Sequence, residues 1–239
     1  MNNINTKKQS ASLTFRLDGH NNVYMYRAGE KLKLNSDNGV YSLELEPAEG
    51  VFITVDSMEL FDSLCKIAPD NGAYKAAVIE VSAVDTDVSF RTLCEKNVCG
   101  NYGKNWMCPP DAGDINGLIS ELRSYKYILV YQSVGELEDS YDFEGMAEAA
   151  EKHHRLMLSV REDLEKTDFK RKLFLGAGGC RLCEVCAKKT NENCRNPGKA
   201  SPSLEAYGVN VSKLASAAGM KYINGQNTVT YFGAVLFDI

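Results

Sequence analysis

Seven of the eight cysteines fall within two short segments of the 239-residue chain, and this clustering constrains the fold more than any other feature. In the second segment, Cys180, Cys183, Cys186 and Cys194 form a C-x2-C-x2-C-x7-C pattern. Thiolates at every third residue can bind several metal ions of one cluster, as in ferredoxin-type sequences with a later fourth cysteine. The spacing therefore predicts a metal-binding loop that wraps around an iron–sulfur cluster.

The first segment carries Cys94, Cys99 and Cys108 in a C-x4-C-x8-C pattern, followed by Pro109 and Pro110. A cysteine followed by proline is also typical of ferredoxin-type sequences. The proline removes an amide donor and fixes the direction in which the chain leaves the ligand. This spacing alone is a weak signal, and it gains weight because the stronger pattern occurs in the same chain.

Three interpretations of the thiols compete: one or two 4Fe-4S clusters, zinc, and redox or structural thiols without metal. Zinc usually takes its ligands from two separated C-x2-C or C-x2-H pairs, and an overlapping C-x2-C-x2-C matches this poorly. In a reducing compartment, clustered cysteines more often bind metal than form disulfides. The pattern therefore favours iron–sulfur clusters, with zinc as the alternative.

The number of thiols raises a further question, because two complete cubes need eight cysteines and the two segments offer seven. The second segment could complete one cube and leave three cysteines around a second with an open or non-cysteine corner. Ligands could instead cross between the segments, as in two-cluster ferredoxins. Alternatively, only one cluster forms. We favour two clusters, in which an iron without a cysteine could act as a Lewis acid.

Several other residues near the cysteines are candidates for contacts with a cluster or a substrate. Glycine lets the backbone approach a cluster closely, and the loop that precedes Cys180 contains Gly179. Tyr102 and Lys104 could donate to a cluster or to an anion, and Trp106 could shield a cluster from water. Glu205 and Tyr207 follow the second segment and could supply a proton or the missing ligand.

The hydrophobic pattern predicts an α+β fold with a small antiparallel β module in front. Short runs that alternate at period two and are separated by turn residues indicate about five strands in the first 56 residues, with a turn at 18–22. Further along, strands alternate with helices, which indicates an α/β-like layer of about four strands with the cysteine segments in attached loops. We place the β module and a connecting helix at 1–72 and the metal-binding domain at 73–239.

The charge of the chain limits its partners. A net charge of −5 and a pI near 5.4 argue against a nucleic-acid partner, which would need a basic face. No signal peptide or membrane-length apolar stretch is visible, so we expect a cytoplasmic protein. A redox partner protein or a small-molecule substrate is expected. Three roles stay open: cluster-based redox catalysis, electron transfer as a ferredoxin-like subunit, and a zinc-stabilised binding module. The pattern leaves enzymatic activity and oligomeric state open as well.

Residues 74–239 resemble an uncharacterised family of bacterial and archaeal proteins described as predicted metal-binding proteins. The first matching motif is NxCGxYGxxWxCPP, from Asn97 to Pro110, and the second is GxGGCxLCxxCA, from Gly176 to Ala187. Two more motifs follow, CRxPxxAxxSxEAYGxxV from Cys194 to Val211 and TVTYFG from Thr228 to Gly233. The resemblance implies metal binding by an iron–sulfur centre, and the occurrence of the family in anaerobes implies sensitivity to oxygen. It implies no particular reaction.

Overall fold

The structure is a computed structural model that describes residues 10–17 and 23–239, with only the backbone for residues 55–59. The chain divides into two compact units between Ser63 and Leu64. The first unit contains six described strands and the start of a helix. These are β1 (Ala11–Arg16), β2 (Val23–Arg27), β3 (Glu30–Leu34), β4 (Ser36–Asp37), β5 (Val40–Leu45), β6 (Phe52–Val55) and α1 (Asp56–Asp70).

The strands of the first unit form two antiparallel sheets, in the orders β1-β5-β4 and β3-β2-β6. The predicted β module is therefore confirmed, with one strand more than expected in the part that the structure describes. The extra strand, β4, has only two residues and is too short to show a period of two. The predicted turn at 18–22 lies outside the described residues. Met25, Leu43, Leu45 and Val51 form the core of this unit.

The second unit is built on one four-stranded antiparallel sheet in the order β7-β8-β10-β9. This confirms the α+β class. Its strands are β7 (Lys75–Glu80), β8 (Tyr127–Glu136), β9 (Arg171–Leu175) and β10 (Thr228–Asp238). Its helices are α2 (Phe90–Glu95), α3 (Ile115–Arg123), α4 (Phe143–Glu165) and α5 (Val211–Ala217).

The two central strands of this sheet, β8 and β10, pair over ten residues, from Thr228 opposite Glu136 to Phe237 opposite Tyr127. The sequences of both strands are long, mostly apolar runs, because both strands are buried in the core of the unit. Helix α4 also packs against these two strands, and its N-terminus is capped by Asp142, whose carboxylate accepts from the Gly145 amide at 2.7 Å. Helix α3 is capped in the same way, because Asp114 accepts from the Gly117 amide at 3.0 Å.

Both cysteine segments lie in connections between these elements, as expected, with one exception. Cys94 is part of the short helix α2, while Cys99 and Cys108 follow in the loop that leads to α3. The second segment leaves the end of the edge strand β9. Among the described residues, no helix is long and apolar enough to span a lipid bilayer.

Candidate metal centre

A buried asparagine joins the two cysteine segments. Asn105, only 4% exposed, donates from Nδ2 to the carbonyl of Cys180 at 3.0 Å and accepts at Oδ1 from the amide of Met107, also at 3.0 Å. The bond to Cys180 ties the first segment to the backbone of the second across 75 residues of sequence, and the bond from Met107 holds the Asn105 side chain in place. The segments therefore form one continuous structure beside the sheet.

Four cysteines line a small cavity of about 20 Å³: Cys180, Cys183, Cys186 and Cys194. N–H groups contact two of their sulfur atoms. Nδ2 of Asn196 lies 3.3 Å from Sγ of Cys183, and the backbone amides of Leu182 and Ser201 donate to Cys180. Such donors are typical of cysteines that hold a metal centre.

The other three cysteines line a separate and larger cavity of about 420 Å³. Cys94, Cys99 and Cys108 share its wall with the side chain of Glu205. The remainder of the wall is largely apolar and includes Phe90, Leu93, Val98, Tyr102 and Pro109. The structure thus divides the seven thiols into a set of four around a small cavity and a set of three around a larger one.

The two sets are close enough to influence each other. Burial raises the pKa of Cys108 to about 12, and the charges of Cys99, Cys94, Cys180 and Cys186 add to the effect. Burial also raises the pKa of Cys94 and of Cys180. Without a cation these thiols are protonated at neutral pH, whereas a bound metal ion would reverse the balance and deprotonate its ligands.

The backbone holds Glu205 rigidly beside the set of three. The Leu204 amide donates to the carbonyl of Gly176 at 3.0 Å, which joins this segment to the loop after β9. On the other side, Gly208 accepts from the amide of Asp87 at 2.8 Å, in the segment that leads to α2. Glu205 is exposed to solvent, because the cavity that it lines is open. Even so, the surrounding protein desolvates the carboxylate enough to raise its pKa.

Tyr207 is the other candidate in this turn, and it does not lie where it could supply a proton or the missing ligand. Its hydroxyl donates to Oε2 of Glu121 at 2.7 Å, and its ring is part of the hydrophobic core. Burial and the Glu121 carboxylate raise its pKa. Tyr207 is thus a packing residue, and it does not line either cysteine cavity.

The remaining candidates all lie near the cysteines. Tyr102 lines the three-cysteine cavity, and Lys104 lines a polar opening of about 330 Å³ that also reaches Cys180, Cys183 and Cys186. Trp106 lines the four-cysteine cavity and donates from its indole N–H to the carbonyl of Glu192 at 2.9 Å.

Gly179 lies where a side chain would not fit. A Cβ atom there would come within 3.0 Å of the Asn101 side chain, so glycine permits the two segments to approach each other closely. Asn101, Asn105 and Asn196 all contact the cysteine segments, and the sequence patterns did not reveal them. Asparagine in a loop reads as a turn former, and only the fold shows which of these amides turn towards a cysteine.

The donor set fits a metal centre, because it offers thiolates, a carboxylate and N–H groups aimed at sulfur. In the part of the chain that the structure describes, no group of three or more Cys, His, Asp and Glu side chains stands ready to hold a single metal ion. The thiols instead line the walls of the two cavities.

Comparison with known families adds independent support. Residues 77–237 match the model of a family described as predicted metal-binding protein (DUF2284), which covers about two-thirds of the chain. The chain belongs to this family. The match confirms the resemblance seen in the sequence, and it spans the four-stranded sheet and all seven clustered cysteines. No curated protein and no solved structure matches the chain.

Proposed function

We propose that this metal-binding protein carries two 4Fe-4S clusters and has a redox or cluster-based catalytic role. The division of the seven thiols into four and three, each set around its own cavity, carries this proposal. It favours the first of the three ligand arrangements considered above. The set of four would hold one cluster with cysteines alone, and the set of three would hold a second with one iron that lacks a cysteine.

The size of the second cavity suits a cluster at the three-cysteine set. A tetrahedral zinc ion binds thiolates at about 2.3 Å, so its sulfur ligands lie about 3.8 Å from one another. The open cavity of about 420 Å³ that Cys94, Cys99, Cys108 and Glu205 help to line leaves room for a much larger group. The C-x2-C-x2-C spacing and the N–H donors around Cys180 and Cys183 point the same way.

The surroundings of the second cavity favour ligand binding over simple electron transfer. When bound, such clusters supply electron transfer, and an iron without cysteine supplies a Lewis acid. The protein contributes an open cavity with largely apolar walls and one carboxylate, which could admit and orient a small-molecule substrate. We also propose a redox partner protein and a cytoplasmic location, since both agree with clustered, reduced thiols.

The test is to purify and reconstitute the protein without oxygen and to measure iron, sulfide and the EPR spectrum. We expect a brown protein with about eight irons per chain, because each cube contains four. Cys183→Ser and Cys99→Ser should each lose about half of the iron and different parts of the spectrum. Cys65→Ser, outside both sets, should keep all of it.

Two results would contradict this proposal. A colourless protein that binds only zinc under these conditions would favour the zinc-stabilised module. Loss of all iron in both cluster variants, with Cys65→Ser unaffected, would point to a single shared centre.

A further inference from the structure

The geometry points to Glu205 as the fourth protein ligand of the metal centre held by Cys94, Cys99 and Cys108. This inference rests on the proposed function for the nature of the centre. It goes beyond that proposal by naming the residue that occupies the position without a cysteine.

The first step is the chemistry of the residues around the cavity. Among the described residues that line it, Glu205 is the one carboxylate, and no histidine is present. Ser203 also lines the cavity, but its Oγ already accepts from the Ala206 amide at 3.1 Å. Tyr102 would have to lose a phenolic proton, which is held far more tightly at neutral pH than the proton of a carboxylic acid. Glu205 is therefore the best available ligand on this wall.

The second step is the rigidity of the Glu205 backbone. Glu205 begins a short 3-10 turn, Glu205–Tyr207, which the Gly208 amide closes by donating to the Glu205 carbonyl at 2.9 Å. The hydroxyl of Tyr207 is bound to Glu121, which fixes the far end of the turn in the core. A ligand on a well-anchored turn loses little entropy when it binds a metal, because the backbone is already in place.

The third step is the set of donors that line the cavity. Three thiols and one carboxylate line it together, and no lysine or arginine stands among the described residues of its wall. A metal centre would supply the cation that these four ligands need once they are deprotonated.

The test compares Glu205→Gln and Glu205→Cys with the wild type after anaerobic reconstitution with iron and sulfide. Glu184→Gln is the matched control, because Glu184 lines the neighbouring polar opening beside Cys183 and Cys186. The measurement is the rate at which a mild chelator removes iron, together with the EPR spectrum. Neither readout depends on enzymatic activity.

We expect Glu205→Gln to lose iron from the three-cysteine centre at least tenfold faster than the wild type, while the four-cysteine cluster stays intact. Glu205→Cys should hold its iron at least as firmly as the wild type, because a cysteine then completes the set. The Glu184→Gln control should behave like the wild type. The intact four-cysteine cluster shows that the variants fold.

The inference is overturned if Glu205→Gln and the wild type release iron equally fast while both contain two clusters. A wild type without iron contradicts the proposed function instead. The same comparison is then made with zinc-loaded protein, where Glu205→Gln should again release metal at least tenfold faster. Equal zinc release would overturn the assignment of Glu205 as a ligand.

Discussion

Replacing Asn105 with alanine should uncouple the two cysteine segments. The change removes the donor to Cys180 and the acceptor for Met107, and it leaves a partly buried carbonyl and a partly buried amide without these partners. Each such group costs about 1–3 kcal/mol. Because Asn105 borders the cysteine cavities, water can reach part of the site and reduce the cost. We expect a loss of about 2–4 kcal/mol in the free energy of unfolding.

Urea unfolding of the metal-free protein, followed by the fluorescence of the single tryptophan, Trp106, measures this loss next to the altered residue. Asn101→Ala is the matched control, since the Asn101 amide reaches the Cys99 carbonyl only at 3.4 Å. We expect that control to stay within about 1 kcal/mol of the wild type, because the bond it removes is long and weak. If Asn105→Ala and Asn101→Ala unfold at the same urea concentration, then Asn105 does not join the segments.

Two further predictions concern stability. His153 is 2% exposed, and burial lowers its pKa to about 4, so the unfolded chain takes up a proton below pH 6.5 that the folded protein rejects. The free energy of unfolding should therefore fall as the pH drops below 6.5, by about 2 kcal/mol at pH 5. An NMR titration that gives His153 a pKa near 6.5 would refute this prediction. Gly208 has a φ of +70°, and a Cβ atom there would lie 3.1 Å from the carbonyl oxygen of Asp87. Gly208→Ala should lower the free energy of unfolding in urea by about 2 kcal/mol. Gly198 has open space around it, so Gly198→Ala should change the free energy little. Equal effects of the two substitutions would show that Gly208 is not required by its backbone conformation.

The sequence predicted the class of fold and the metal-binding family because both depend on local patterns. Alternation at period two and runs of apolar residues reveal strands and helices without knowledge of the fold, and the spacing of cysteines reveals ligands that act on one centre. The strand β4 was missed because a pair of residues has no period. The sequence did not predict that Cys94 would lie at the end of a helix, because only packing decides where a short helix stops.

The partition of the thiols depends on tertiary structure, and the sequence could not decide it. The count of seven allowed three ligand arrangements, of which the sequence favoured those with two clusters. The difference arises where the chain after β9 pairs Gly176 with Ser203, since this bridge brings the Glu205 turn against the glycine loop. Glu205 and Tyr207 are two residues apart in a turn with about three residues per turn, so they point in different directions. Sequence proximity alone could not separate the cavity residue from the core residue.

Under the proposed function, the two cysteine cavities must meet different requirements. The four-cysteine cavity is small, and N–H groups contact the sulfur atoms of Cys180 and Cys183, which suits a centre that must stay intact while its charge changes. The three-cysteine cavity is large and open, and its carboxylate is a weaker ligand for soft iron corners than a fourth cysteine would be. A substrate could displace such a ligand more easily than a thiolate. Under the proposed function, the missing cysteine marks the position where the second centre would exchange a ligand, and the four-cysteine set beside it would supply or accept the electron.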